Sequence, residues 1–205
     1  TGTEKIMHNK KIVGFIVLAL LGAAMATFCD GVHVYTQALS YPNPFWLGQA
    51  WWVYPGFVMA FLFMEYAYFF VVKILPAVGI LTQESTSRGN VRELVETSTT
   101  FILIYVLSGF GNLSPVFLSV IFYATFAVRW FFSYERAWLL LLAVSMAIGG
   151  MFAEGVLAAA GLVTYRHVDV FYVPFWLGGL YVHGAFAIRS GLRLLVYNAS
   201  PNAMK

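Results

Sequence analysis

From Trp138 to Val163 the chain runs apolar for long enough to cross a bilayer, yet it carries a carboxylic acid, Glu154, near the middle of the run. About 20 consecutive apolar residues suffice for a helix to span the hydrocarbon core. No backbone group can stay unpaired at that depth, which restricts a spanning chain to helices or a closed barrel. Five further apolar stretches accompany this one, and the spans are read as 12–39, 45–75, 94–111, 115–132, 138–163 and 170–197. Only 10% of the 205 residues are charged and 60% are hydrophobic, whereas a soluble domain carries about 25% charged residues. The expected fold is all-α: one transmembrane domain over residues 1–205, a polytopic bundle of six transmembrane helices.

The fifth span is unusually lean. Between Ala143 and Gly161, eleven of nineteen residues are Gly, Ala or Ser, including the small-xxx-small steps Gly149/Ala153 and Gly155/Ala159. Small side chains let membrane helices approach closely. This span is therefore expected to be the buried post of the bundle, with Glu154 turned inward.

The remaining spans have recognisable punctuation. Lys10 and Lys11 precede the first apolar run. Ala24-Met25-Ala26 has the look of a signal-peptide cleavage site, but an uncleaved first span agrees better with the length of the run. Phe45, Trp46, Trp51, Trp52 and Tyr54 suit the headgroup level, and Pro55 is expected to kink the second helix. Gln83 to Glu96 reads as the one sizeable loop, Pro115 fits the first turn of the fourth helix, and Asn198 to Lys205 is a polar tail. With six spans, Lys5, Lys10, Lys11, Lys73, Arg88, Arg92, Arg129, Arg136, Arg189, Arg193 and Lys205 fall on one side, and Arg166 alone on the other. Basic residues mark the cytoplasmic side, so both termini are expected there. The net charge of +3 follows from this topology and calls for no nucleic-acid partner.

A carboxylate at mid-bilayer costs about 2.5–3.5 kcal/mol, so each should face a partner or a cavity. Asp30, His33, Gln49, Glu65, Glu154 and His183 are the polar groups inside the spans, most of them in the outer half. They suggest a polar-ended pocket opening toward the outer leaflet. Asp30 and His33 lie three apart and can pair with each other, and Glu65 can reach toward Lys73. One His pair is too thin for a zinc site, which needs three or four ligands, so no metal or other cofactor is expected. No nucleophile elbow, P-loop or dinucleotide fingerprint occurs. The single cysteine, Cys29, beside Asp30, has no partner for an intrachain disulfide and is poorly placed to form a thiolate.

Two stretches resemble the Insig family. Gln49-Ala50-Trp51-Trp52-Val53-Tyr54-Pro55 is similar to the Ala-Trp-Trp-Val-Pro-Pro signature of the family's second span. Asp169 to Leu177, followed by His183-Gly184 and Gly191-Leu192-Arg193, is similar to its last-span motif in order and spacing. The resemblance implies oxysterol binding within the bundle and an adaptor role toward Scap or HMG-CoA reductase in the endoplasmic reticulum membrane, without catalysis. The family's Asp-Arg-Ser-Arg turn is replaced here by Ser133-Tyr134-Glu135-Arg136, and its third-span Gly-Ile-Asn-His pattern is missing. A divergent bacterial relative in the plasma membrane fits these departures.

The functional expectation is a cavity for a hydroxylated lipid, a sterol or a diacylglycerol, with Tyr35, Gln49, Trp51, Glu154 and His183 contacting the ligand. A homo-oligomer is compatible with it. The alternatives are a lipid-modifying enzyme or a proton-coupled transporter built on Glu154, Asp30, His33 and His183.

Overall fold

The computed structural model describes the backbone of residues 2–74 and 89–197, and side chains within 9–72 and 89–197. The tail from Asn198, the loop residues up to Arg88 and the side chains of Lys5 and Lys73 lie outside the described residues, and so does any contact between Glu65 and Lys73. Six long helices are described: α1 (Gly2–Tyr35), α2 (Val53–Ile74), α3 (Val91–Phe110), α4 (Pro115–Phe131), α5 (Arg136–Ala159) and α6 (Trp176–Leu192). A π-helical turn, Arg193–Tyr197, continues α6. Two short strands, β1 (Leu39–Ser40) and β2 (Thr164–Tyr165), pair antiparallel across one end of the bundle. That end is called the strand end below, and the opposite one the arginine end.

Local chemistry fixes the helix starts. Asn90 caps α3, its Oδ1 accepting from the Glu93 N–H at 2.7 Å. Pro115 opens α4, where its missing N–H costs nothing. The contacts between helices give an alternating up-down order. Phe15 meets Phe69, Phe101 meets the Gly184 backbone, and Phe122 and Phe126 meet Gly179 and His183. Thus α1, α3 and α5 run one way and α2, α4 and α6 the other.

Two helix starts differ from expectation for the same reason. The second and sixth helices begin at Val53 and Trp176. The apolar residues before each form a tight turn closed by a bridge, Trp46 with Gln49 and Val170 with Val173. Leu47, Gly48, Phe171 and Tyr172 have positive φ there, which no helix tolerates. Gly48 is required on two counts: its φ of +72° is left-handed, and a Cβ would sit 2.7 Å from Val34 Cγ1. Hydropathy alone does not separate such aromatic turns from the helices they precede.

The central post is α6, and this corrects the expectation for the fifth span. Fifteen residues of α6 are buried, while α5 exposes Leu140, Leu141, Val144, Ile148, Phe152 and Val156. Glycines of α6 let its neighbours close in: Gly179 faces Phe122, Gly184 faces Met146 and Phe101, and Gly191 faces Leu18. On α5, Gly150 packs on Tyr181 and Gly155 on Phe171, but a Cβ on Gly149 would meet nothing within 4 Å. Small residues on α5 thus serve partly to pack against α6 and partly to leave space.

Candidate functional site

Near the strand end, α1 carries Thr27 and Asp30 three residues apart, hence on one face. The turn before α2 folds back over this face and delivers Gln49, only 1% exposed. Gln49 Nε2 donates to the Thr27 carbonyl at 2.7 Å and to Asp30 Oδ2 at 2.9 Å. The Tyr41 hydroxyl donates to the same Oδ2 at 2.8 Å. Opposite them, Glu154 of α5 accepts from the Tyr165 hydroxyl at 3.0 Å and from the Tyr181 hydroxyl at 3.3 Å. Pairing of Leu39 with Tyr165 fixes the two halves in register. Burial raises the titration of Tyr41 and Tyr165, which lie outside the helices, well above the ordinary tyrosine range, and the nearby carboxylates add to it. Both hydroxyls therefore remain donors at neutral pH.

The site is acidic throughout. Among the described residues, the side-chain hydrogen bonds of Asp30 and Glu154 come from Gln49 and tyrosines, and neither acid forms an ion pair. Asp30 is 3% exposed, whereas Glu154 and Tyr181 keep some open surface. Tyr165 also borders a surface depression of about 420 Å³ shared with Val34, Gln37, Thr164 and Arg166.

Helix α2 packs on α1 and α5 packs on α6, but α2 and α5 do not pack along their lengths. They meet toward the arginine end, where Trp138 Nε1 donates to the Tyr68 hydroxyl at 3.4 Å. Leu142, Ser145 and Gly149 repeat at helical spacing along the face of α5 that carries Trp138. Ser145, Gly149 and the following Ala153 are exposed. One face of α5 is therefore lean and uncovered beyond the Trp138–Tyr68 contact.

The residues singled out from sequence do not all gather here. Gln49 and Glu154 do. Tyr35 and Trp51 stand at the perimeter, 82% and 70% exposed. His183 is fully buried in α6, where Nδ1 accepts from Arg129 at 2.9 Å and Nε2–H donates to the Phe122 carbonyl at 3.0 Å. That pair of bonds sets a neutral imidazole with its proton on Nε2. Asp30 and His33 do not pair, because His33 Nε2 meets Ser108 Oγ at 2.7 Å on α3. Tyr41, Tyr165 and Tyr181 were not singled out. The two loop tyrosines and Tyr181 carry no sequence signal linking them to the acids.

Two more clusters use charge differently. At the arginine end, Arg189 reaches Glu93 at 3.6 Å and Glu135 at 3.8 Å, Arg193 bonds Glu135, and Ser190 donates to Glu93 at 3.2 Å. This network ties α3, the α4–α5 turn and α6 together. On α2, Glu65 is fully buried and neither carboxyl oxygen has a partner among the described residues. A buried polar group left unpaired costs about 1–3 kcal/mol. Glu65→Leu is therefore expected to raise the thermal midpoint in detergent; a lowered midpoint would reveal that the carboxyl is paired in the membrane.

With the geometry established, comparison with solved structures gives a consistent fold. The chain superposes on a mycobacterial Insig homologue, MvINS from Mycobacterium vanbaalenii, with a TM-score of 0.71 at 21% identity, covering 93% of this chain and 96% of the homologue. A cross-linked trimer of a cysteine-substituted MvINS matches with a TM-score of 0.71 at 20% identity, over the same 93% and 96%. No protein-family model and no curated protein matches the sequence. The chain thus shares the fold of this Insig homologue, in line with the two sequence stretches that resemble that family. It is a predominantly helical integral membrane protein, and among the described residues four helices are long and apolar enough to cross a bilayer: Asn9–Tyr35, Val53–Val72, Val91–Phe110 and Arg136–Ala159.

Proposed function

We propose that this protein binds a hydroxylated lipid, a sterol or a diacylglycerol, inside its helix bundle and acts as a sensor or adaptor, not as a catalyst. The carrying observation is the pair of facing acids, Asp30 held by Gln49 and Tyr41, and Glu154 held by Tyr165 and Tyr181. In this proposal the lean face of α5, which α2 does not pack along, takes the tails, and the acid cluster takes the head. Pockets of this type gain most affinity from apolar contact and their selectivity from a few placed polar groups. In this reading Gln49 and Glu154 orient the ligand, with Tyr35 and Trp51 at the rim and His183 bracing α4 against α6. His33 and His183 are each turned toward a partner away from the two acids, which weighs against the enzyme reading built on them.

The topology belongs to the same proposal. Helix α4 is shorter than the four clear spans, and α6 reaches Tyr197 only through its π-helical turn. Both lie in the same up-down order as the others, which supports six spans. Arg129, Arg136, Arg189 and Arg193 gather at one end and Arg166 stands at the other, so both termini are assigned to the cytoplasmic side. In a bacterium the location is the plasma membrane, and in a eukaryote the endoplasmic reticulum. The trimeric homologue supports a homo-oligomer. A partner of the Scap or HMG-CoA reductase kind would meet an altered fourth-to-fifth turn, because Glu135 is engaged by arginines of α6.

Mass spectrometry of lipid retained through purification tests the reading. One hydroxylated lipid per chain, across several mild detergents, is expected. Protein that is folded but lipid-free in all of them contradicts it.

A further inference from the structure

The two helix–turn–helix units that carry the acids share one backbone design. The turn hydrogen bonds between residues 32 and 53 recur 124 residues later, between 156 and 177. Gln37 N–H to the Val34 carbonyl is matched by Gly161 to Ala158, and Phe45 to Gln49 by Asp169 to Val173. Gln37 and Gly161 hold positive φ just past α1 and α5, and Leu47 and Phe171 hold it in the turns before α2 and α6. The sequence keeps a trace of the repeat, because Phe28-Cys29-Asp30-Gly31-Val32 aligns with Phe152-Ala153-Glu154-Gly155-Val156. Gly31 lies against Leu47 and Gly155 against Phe171, so each turn rests on the glycine beside its acid. Tyr41 donates to Asp30 as Tyr165 donates to Glu154. The antiparallel β1–β2 pair joins the two units.

The units differ in what seals the acid. In the first, the Gln49 carboxamide donates to Asp30 and to the Thr27 carbonyl, and Asp30 is left 3% exposed. In the second, the residue at the matching position is Val173, apolar and fully buried, and the matching carbonyl is that of Met151. Tyr181 reaches Glu154 from α6 at 3.3 Å, where α2 carries Phe57, but Glu154 and Met151 both keep open surface. Tyr165 also lines the depression at the strand end, whereas Tyr41 does not. We propose that the hydroxyl head of the bound lipid fills, against Glu154, the place that the Gln49 carboxamide fills against Asp30. The first unit is then a template of the liganded state, closed by a side chain of the protein itself. Gln49 orients the guest by occupying the Asp30 half, and the single open half takes one lipid per chain. This rests on the proposed lipid site and assigns the head to one of its two acids.

Val173→Gln supplies the missing carboxamide from within the chain, and Val173→Met, of similar length without an amide, controls for bulk. A fluorescent diacylglycerol is titrated into purified full-length protein of each kind and into the native chain. The guest must displace the hydrogen bonds of the added amide, so Val173→Gln is expected to bind at least about tenfold more weakly than Val173→Met. A second measurement uses native protein: a diacylglycerol with a diazirine near its hydroxyl is expected to label Tyr165 or Tyr181 in preference to Tyr41. Equal binding by the two variants overturns the inference and leaves the hydroxylated-lipid reading standing. Labelling centred on Tyr41 and Gln49 does the same, because the head then lies in the Asp30 half. Native protein that binds no diacylglycerol overturns the lipid site and this inference with it. The labelling decides the matter even if Val173→Gln protein fails to fold.

Discussion

Glu135→Ala is expected to lower the unfolding free energy by about 3–5 kcal/mol, the usual cost of removing one partner from a buried ion pair. Glu135 has a side chain only 4% exposed, and Oε2 serves both Arg189 and Arg193. Removing it leaves two guanidinium groups in a buried setting, with Glu93 the remaining acid in contact with Arg189. The loss is expected at the arginine end, so cross-linking between α4–α5 and α6 should fall while amide exchange around Asp30 and Glu154 at the other end stays unchanged. Equilibrium unfolding in mild detergent reads the effect. A change below about 1 kcal/mol, the size of a surface ion pair, would mean that water reaches the network. Glu135 also departs from the Insig turn motif, and its use inside the bundle gives that departure a structural reason.

Trp176→Ala is expected to be comparably damaging. Trp176 begins α6, is fully buried, donates from Nε1 to Asn112 Oδ1 at 3.1 Å and meets the His33 ring edge-on at 5.5 Å. Truncating a buried tryptophan costs about 3–5 kcal/mol through lost packing and an incompletely filled cavity. In a bilayer, shape matching matters more than water exclusion, and Trp176→Phe should recover more than half of the loss. The His33–Ser108 bond lies beside it, so faster amide exchange in α1 and α3 near these residues should accompany the substitution. Unchanged exchange there would show that Trp176 does not hold the three helices together.

Much of the architecture could be read from the chain, because membrane depth leaves a spanning segment few options. Apolar length located the helices, while the one-sided distribution of Lys and Arg carries the proposed orientation. The identity of the post could not be read. A lean α5 and a glycine-bearing α6 both look suited to the centre, and only the packing of Gly179, Gly184 and Gly191 against specific side chains assigns α6. The turns before α2 and α6 were hidden for another reason: Phe171 and Tyr172 are hydrophobic yet hold positive φ. At the site, buried acids were recognisable because hydrocarbon tolerates them only with partners. Their tyrosine partners were not, because Tyr41 and Tyr165 arrive from loops more than a hundred residues apart in the sequence and are joined by β1–β2 pairing.

The proposed function requires a lipid inside the bundle with its head at Asp30 and Glu154. Photo-cross-linking with a diacylglycerol that carries a diazirine near its hydroxyl tests this most directly. Adducts are expected on Tyr41, Tyr165 or Tyr181 and on the Ser145–Ala153 wall of α5, removed by excess unlabelled lipid and lost in Asp30→Asn/Glu154→Gln protein. Adducts confined to outward residues such as Phe63, Tyr66 and Phe70, with no response to competitor, would contradict it.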